Sequence, residues 1–155
     1  QSRSFDLLTS FDVLYERAVA SDAAALAEFF RVLRPQGFLL LRLPAYDWLR
    51  GQHDLTIHTA RRYTLAQVTR LLKASGFHLV HATYANTFLF PLAAAKRLLE
   101  HLWPPAPDSS DLSVAVGPFN SLFRSILSSE APIVARLGLP FGLSVVALAQ
   151  KPTES

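Results

Sequence analysis

His53-Asp54, His58 and Arg61-Arg62-Tyr63 stand close together and are the groups best equipped for chemistry. A histidine with an unperturbed pKa of about 6.5 can take a proton from an acceptor oxygen or nitrogen near neutral pH. His53 and His58 are therefore the candidate catalytic bases; the alternative is a pair of loop histidines bonded to backbone. Arg61 and Arg62 can clamp a carboxylate or phosphate, or can pair with Asp47 or Asp54. Tyr63 stands beside them. Upstream, Tyr46 and Trp48 can wall an acceptor molecule or pack in a core. No metal is expected, because the histidines lack the spacing of two ligands on one helical turn and no second ligand cluster accompanies them. The chain has no cysteine, which removes thiolate ligands, disulfides and a thiol nucleophile.

These residues need elements to hold them, and the nearest is Arg34-Pro35-Gln36-Gly37-Phe38-Leu39-Leu40-Leu41. Proline fixes φ and glycine accepts positive φ, so the first four residues read as a helix stop and turn, with Gly37 as the left-handed residue. Phe38 to Leu41 lacks polar alternation, which predicts a strand covered on both faces. Pro44 to Tyr63 then forms a long polar loop at the carboxyl end of that strand, where ligands of open α/β sheets bind.

The flanking segments extend the pattern. Phe5 to Phe11 reads as a short buried strand, and Ser21 as the N-cap of a helix from Asp22 to Leu33. Thr64-Leu65-Ala66-Gln67 matches a capping box opening a helix that stops at Ser75-Gly76. Phe77 to Tyr84 is a third strand, and Asn86 to Leu102 is helical, with Lys96-Arg97 on its solvated face. Residues 103–118, beginning Trp103-Pro104-Pro105, are a linker or insertion. Asn120 is expected to cap a helix with Leu122, Phe123, Ile126 and Leu127 inward, kinked or ended by Pro132. Leu143 to Ala149 is the last strand, within a closing unit 119–150, and 151–155 are a polar tail.

Half of the 155 residues are hydrophobic and 17% are charged, which excludes the disordered class. The net charge of +3 is dispersed, so a nucleic-acid partner is not expected. No apolar run approaches the ~20 residues of a membrane span, and a cytoplasmic setting is expected. The chain opens Gln1-Ser2-Arg3-Ser4 directly ahead of a strand and contains no methionine. It is accordingly read as the later part of a longer polypeptide, and the edge of Phe5 to Phe11 is expected to be open and apolar, suited to a homodimer.

Phe5-Asp6-Leu7-Leu8-Thr9-Ser10-Phe11-Asp12, Arg31-Val32-Leu33-Arg34-Pro35-Gln36-Gly37-Phe38 and Leu72-Lys73-Ala74-Ser75-Gly76-Phe77 together resemble the carboxy-terminal half of a class I S-adenosylmethionine-dependent methyltransferase. Pro44-Ala45-Tyr46, His53-Asp54, His58 and Pro140-Phe141-Gly142 resemble its bacterial small-molecule branch. The resemblance implies an α/β, Rossmann-like sheet of three parallel strands plus a final antiparallel one, flanked by helices. It implies S-adenosyl-L-methionine as cofactor, approached by Ser10, Phe11, Asp12 and Tyr15, and methyl transfer to a small-molecule acceptor. The family's glycine-rich loop and ribose-binding acidic residue are not in this sequence. Glu16 stands where many relatives have histidine, which leaves a non-catalytic interaction module as the alternative.

Overall fold

A computed structural model describes residues 3–16, 19, 21–50, 61–102 and 120–153. Strand β1 (Phe5–Phe11) is followed by helix α1 (Asp22–Val32), strand β2 (Leu33–Pro44) and a single 3-10 turn (Asp47–Leu49). Helix α2 (Leu65–Ala74), strand β3 (His78–Ala85), helices α3 (Phe90–Leu102) and α4 (Asn120–Arg136), and strand β4 (Ser144–Gln150) complete the order. The four strands lie in the order β1-β2-β4-β3. β1 and β2 are parallel, while β4 runs antiparallel to both of its neighbours, β2 and β3. β1, β2 and β3 therefore all point the same way, as the family resemblance implies.

Local chemistry sets the helix starts. The Ser21 side chain accepts from the Ala24 N–H, and Thr64 and Gln67 satisfy each other's backbone donors in a complete capping box. Thr64→Ala is expected to lower stability by about 1 kcal/mol, read as an earlier urea midpoint with an unchanged m-value. Gly76, at φ +87°, ends α2 in the left-handed conformation that glycine adopts cheaply.

Packing departs from the expected pattern at β2. Leu39, Leu41 and Leu43 are buried beneath α1 and α2, each contributing about 2 kcal/mol of apolar burial. On the opposite face, Phe38 and Arg42 are exposed and Leu40 is half-buried, so among the described residues that side of β2 is only partly covered. That face is occupied beside β3, where the His81 ring nitrogen meets the Val134 carbonyl of α4 at 3.0 Å. Beside β1 nothing described covers it. β1 likewise proves largely exposed rather than buried, with Leu7, opposite Phe38, and Phe11, opposite Arg42, about half exposed.

The turn ahead of β2 is also built differently. Phe5 pairs with Leu33 and Leu7 with Phe38, so residues 34–37 bulge out between the two pairings. Gln36, not Gly37, takes the positive φ, +65°. Gly37 is needed for space instead: a Cβ there would meet the Arg34 carbonyl oxygen at 2.9 Å and that of Phe5 at 3.2 Å. In α4, Asn120 is the first helical residue, Leu127 is exposed, and the helix passes Pro132 to reach Arg136. The end of α4 meets β3 through backbone carbonyls, Val134 bonding His81 and, just past the helix, Leu137 facing the Thr83 hydroxyl.

Candidate functional site

Each of the three codirectional strands is followed by a non-glycine residue in a left-handed conformation: Asp12 (φ +56°), Tyr46 (φ +54°) and Asn86 (φ +60°). Asp and Asn tolerate this region, but a tyrosine there is strained. Such strain collects where a backbone is held for function. The shared carboxyl end of β1, β2 and β3 is the candidate site, as expected for an open α/β sheet.

At β1, Ser10 is buried and its hydroxyl has no hydrogen-bond partner. Asp12 is held twice by Arg42: its N–H bonds the Arg42 carbonyl at 3.0 Å, and its carboxylate pairs with the Arg42 guanidinium. That guanidinium also lies 5.6 Å from the centre of the Phe11 ring. Tyr15 is buried in the core beside the crevice.

At β2, Tyr46 stacks on Tyr84 from the end of β3, with ring centres 5.2 Å apart. Trp48, Phe90 and Phe141 extend the cluster at successive separations of 6.0, 5.9 and 5.2 Å from Tyr46 outward. Trp48 is 57% exposed, so part of its ring is available to a ligand. On the other side of the 3-10 turn, Asp22, Asp47, Arg50, Arg61, Arg62, Tyr63, Gln67 and Leu71 line a cavity of about 390 Å³. Arg61 pairs there with Asp22 at 3.1 Å and donates to the Val19 carbonyl. Arg62 donates to the Ala45 carbonyl at 3.1 Å. The Tyr63 hydroxyl donates to Asp22 at 3.0 Å. Arg61 thus ties the loop after β1 to the loop after β2, using Asp22 rather than Asp47.

Burial, and then the neighbouring Asp22 carboxylate, push the Tyr63 hydroxyl well above its usual range. Burial first and the Tyr84 hydrogen bond second do the same for Tyr46. Both hydroxyls therefore keep their protons at neutral pH and serve as donors, not bases. His53 and His58, the candidate bases, lie outside the described residues. No cluster of metal-ligating side chains occurs among the described residues, and no described helix is long and apolar enough to cross a membrane.

Sequence reasoning missed Arg42 and Glu130. A charged residue closing a run of leucines at a strand end was the available signal for Arg42. Glu130 is 2% exposed and accepts from the Thr87 and Phe88 N–H groups at 3.0 and 3.2 Å, anchoring the entry to α3. Nothing local marks it.

No protein-family model and no curated protein matches the chain. Solved structures do. The [4+2]-cyclase SpnF is 20% identical over 99% of this chain and 52% of its own length, with a TM-score of 0.52. The Haemonchus contortus phosphoethanolamine N-methyltransferase 2, in complex with S-adenosyl-L-methionine, is 14% identical over 99% of this chain and 34% of its own, with a TM-score of 0.54. A SAM-dependent methyltransferase from Methanosarcina mazei is 17% identical over 99% and 62%, with a TM-score of 0.51. The chain therefore spans between a third and two thirds of the length of these structures. Strand order, strand direction and these likenesses agree: the chain has the class I S-adenosylmethionine-dependent methyltransferase fold.

Proposed function

We propose that this chain is the carboxy-terminal half of an S-adenosylmethionine-dependent methyltransferase acting on a small-molecule acceptor in the cytoplasm. The observation that carries the reading is the convergence of three positive-φ residues, the strained Tyr46 among them, and a buried, unpartnered Ser10 hydroxyl on one end of the sheet. That hydroxyl is hydrogen-bonding capacity a ligand beyond β1 can use. The face of β1 and β2 that no described residue covers, with Leu7, Phe11 and Phe38 exposed, supports a further set of packing elements from an upstream half.

Ser10, Phe11, Asp12 and Tyr15 are assigned to the cofactor side. Tyr46 and Trp48 form the acceptor wall, with Arg61, Arg62 and Tyr63 below it. His53 or His58 removes a proton where the acceptor must lose one. The cofactor supplies a methyl on a sulfonium. The chain's own part is to align the acceptor and exclude water, since in-line transfer gains most from orientation. SpnF, a cyclase, shows that this fold also hosts other reactions, so cofactor binding is the first test.

Calorimetry with S-adenosyl-L-methionine on the longer polypeptide should give binding that weakens about tenfold in Asp12→Ala, the worth of one charge-assisted hydrogen bond. The 155 residues alone should bind at least about a hundredfold more weakly, because ligand-facing backbone from the upstream half is absent. Micromolar binding by the 155 residues would sink the half-domain assignment. No binding by the longer polypeptide would favour a non-catalytic interaction module.

A further inference from the structure

Helix α3 meets the loop after β2 with an arginine. Its Leu92, Leu98, Leu99 and Leu102 are turned outward, each between 56% and 64% exposed, while Arg97 points inward and is 18% exposed. That corrects the expected place of Arg97 on a solvated face. Its Nε donates to the Leu49 carbonyl at 3.1 Å, and its guanidinium also pairs with Glu100. Glu100 is paired with Lys96 as well, at 3.5 Å. A guanidinium holds its five donors in a rigid fork, so Glu100 can fix one edge while Nε serves the carbonyl.

The Leu49 carbonyl closes the 3-10 turn, and the last carbonyls of a helical turn have no partner within it. The same turn carries Trp48 and follows directly on Tyr46, whose backbone is held at φ +54°. Helix α3 grips it at two points. Phe90, the first residue of the helix, packs edge-on against the Trp48 ring at 5.9 Å and an interplanar angle of 89°. Arg97 lies seven residues on, which returns to the same face within about 20° and stands about 10 Å farther along the axis. Phe90 also touches Tyr46 at 5.8 Å and Phe141 at 5.2 Å, and the turn ahead of it is anchored on Glu130. The inner side of the loop is held separately, by the Tyr46 N–H on the Tyr63 carbonyl and by Arg62 on the Ala45 carbonyl, each at 3.1 Å.

We infer that Arg97 is a positioning residue for the acceptor wall. By latching α3 to the Leu49 carbonyl it fixes the 3-10 turn, and with it the exposed Trp48 ring against which an acceptor lies. The part played by the wall rests on the methyltransferase reading; the placing of Trp48 by Arg97 does not. Because the inner side of the loop has its own bonds, losing the latch frees the Trp48 end and leaves β2 in place.

The full 155-residue chain carries the test. Arg97→Met keeps the apolar stem and removes the guanidinium. In a Trp103→Phe background, Trp48 should then show lower anisotropy and faster quenching by acrylamide. The Leu49 and Arg50 amides bond the Tyr46 and Asp47 carbonyls at 3.0 and 3.1 Å. They should exchange their hydrogens about tenfold faster, the worth of one charge-assisted hydrogen bond in a local opening. The amides of Leu39, Leu41 and Leu43 should exchange as in the parent, which separates loss of the latch from loss of stability. Arg97→Lys keeps the charge and a donor and should recover part of the protection. In the longer polypeptide, S-adenosyl-L-methionine should bind Arg97→Met and the parent alike, because the cofactor side is at β1. An unchanged Trp48 signal in Arg97→Met would overturn the inference. So would equal acceleration of the β2 amides, no recovery in Arg97→Lys, or cofactor binding weakened as much as in Asp12→Ala. A longer polypeptide that binds no cofactor would end the methyltransferase reading, while Trp48 and the amides still decide the role of Arg97.

Discussion

Gly142→Ala is expected to cost about 3 kcal/mol or more, the largest single effect among conservative substitutions in this chain. Gly142 is buried where β4 begins, directly against the end of β3. A Cβ there would overlap the Ala85 carbonyl oxygen and lie 2.9 Å from its carbon and 3.0 Å from the Ala85 nitrogen. The obstacle is backbone, so no side chain can swing away to relieve it. The strands must separate, and the displaced segment carries Asn86, whose side chain bonds Ser144 across the junction. Urea denaturation should show the loss. A variant within about 0.5 kcal/mol of the parent, the usual range for a harmless surface change, would mean that β3 and β4 are not in contact there.

Removing the Glu130 carboxylate should come next. Glu130→Ala leaves the Thr87 and Phe88 N–H groups without their acceptor in a buried place, at an expected cost of about 3 kcal/mol. Those groups form the turn into α3, and Phe90, two residues on, packs against Trp48 at 5.9 Å. The aromatic wall should therefore loosen as stability falls. In a Trp103→Phe background, Trp48 fluorescence should shift to the red and its anisotropy should drop. Glu130→Gln retains one acceptor oxygen and should recover about half of the lost stability. Full stability with an unchanged Trp48 signal in Glu130→Ala would remove α4 from the support of the site.

The residues that were legible are those whose structure depends on near neighbours. The Thr64–Gln67 capping box, the Ser21 cap and Gly76 each act within one helical turn, so the sequence alone placed three helix boundaries. The order of strands and helices, and the fold class with its antiparallel last strand, were legible for the same reason together with the family resemblance.

Other features depended on distance. Whether Phe38 and Leu40 are covered is decided by which helices the chain places over that face, and periodicity within β2 carries no information about them. Gly37 is required by the approach of the Phe5 and Arg34 carbonyls, a long-range contact that leaves the positive φ to Gln36 unmarked in the local sequence. The pairs that build the site also join distant parts of the chain: Asp12 with Arg42, Asp22 with Tyr63, and Thr87 with Glu130.

By itself the sequence determined the elements, their caps and the end of the sheet that is the candidate site. Only the tertiary structure decided that Arg42 holds Asp12, that Arg61 ties two loops through Asp22, and that α3 turns its leucines outward. The physical reason is that each contact joins segments distant in the chain: β1 pairs with β2, and β4 inserts between β2 and β3. That placement brings α4 and Glu130 beneath the entry to α3, and no local propensity encodes it.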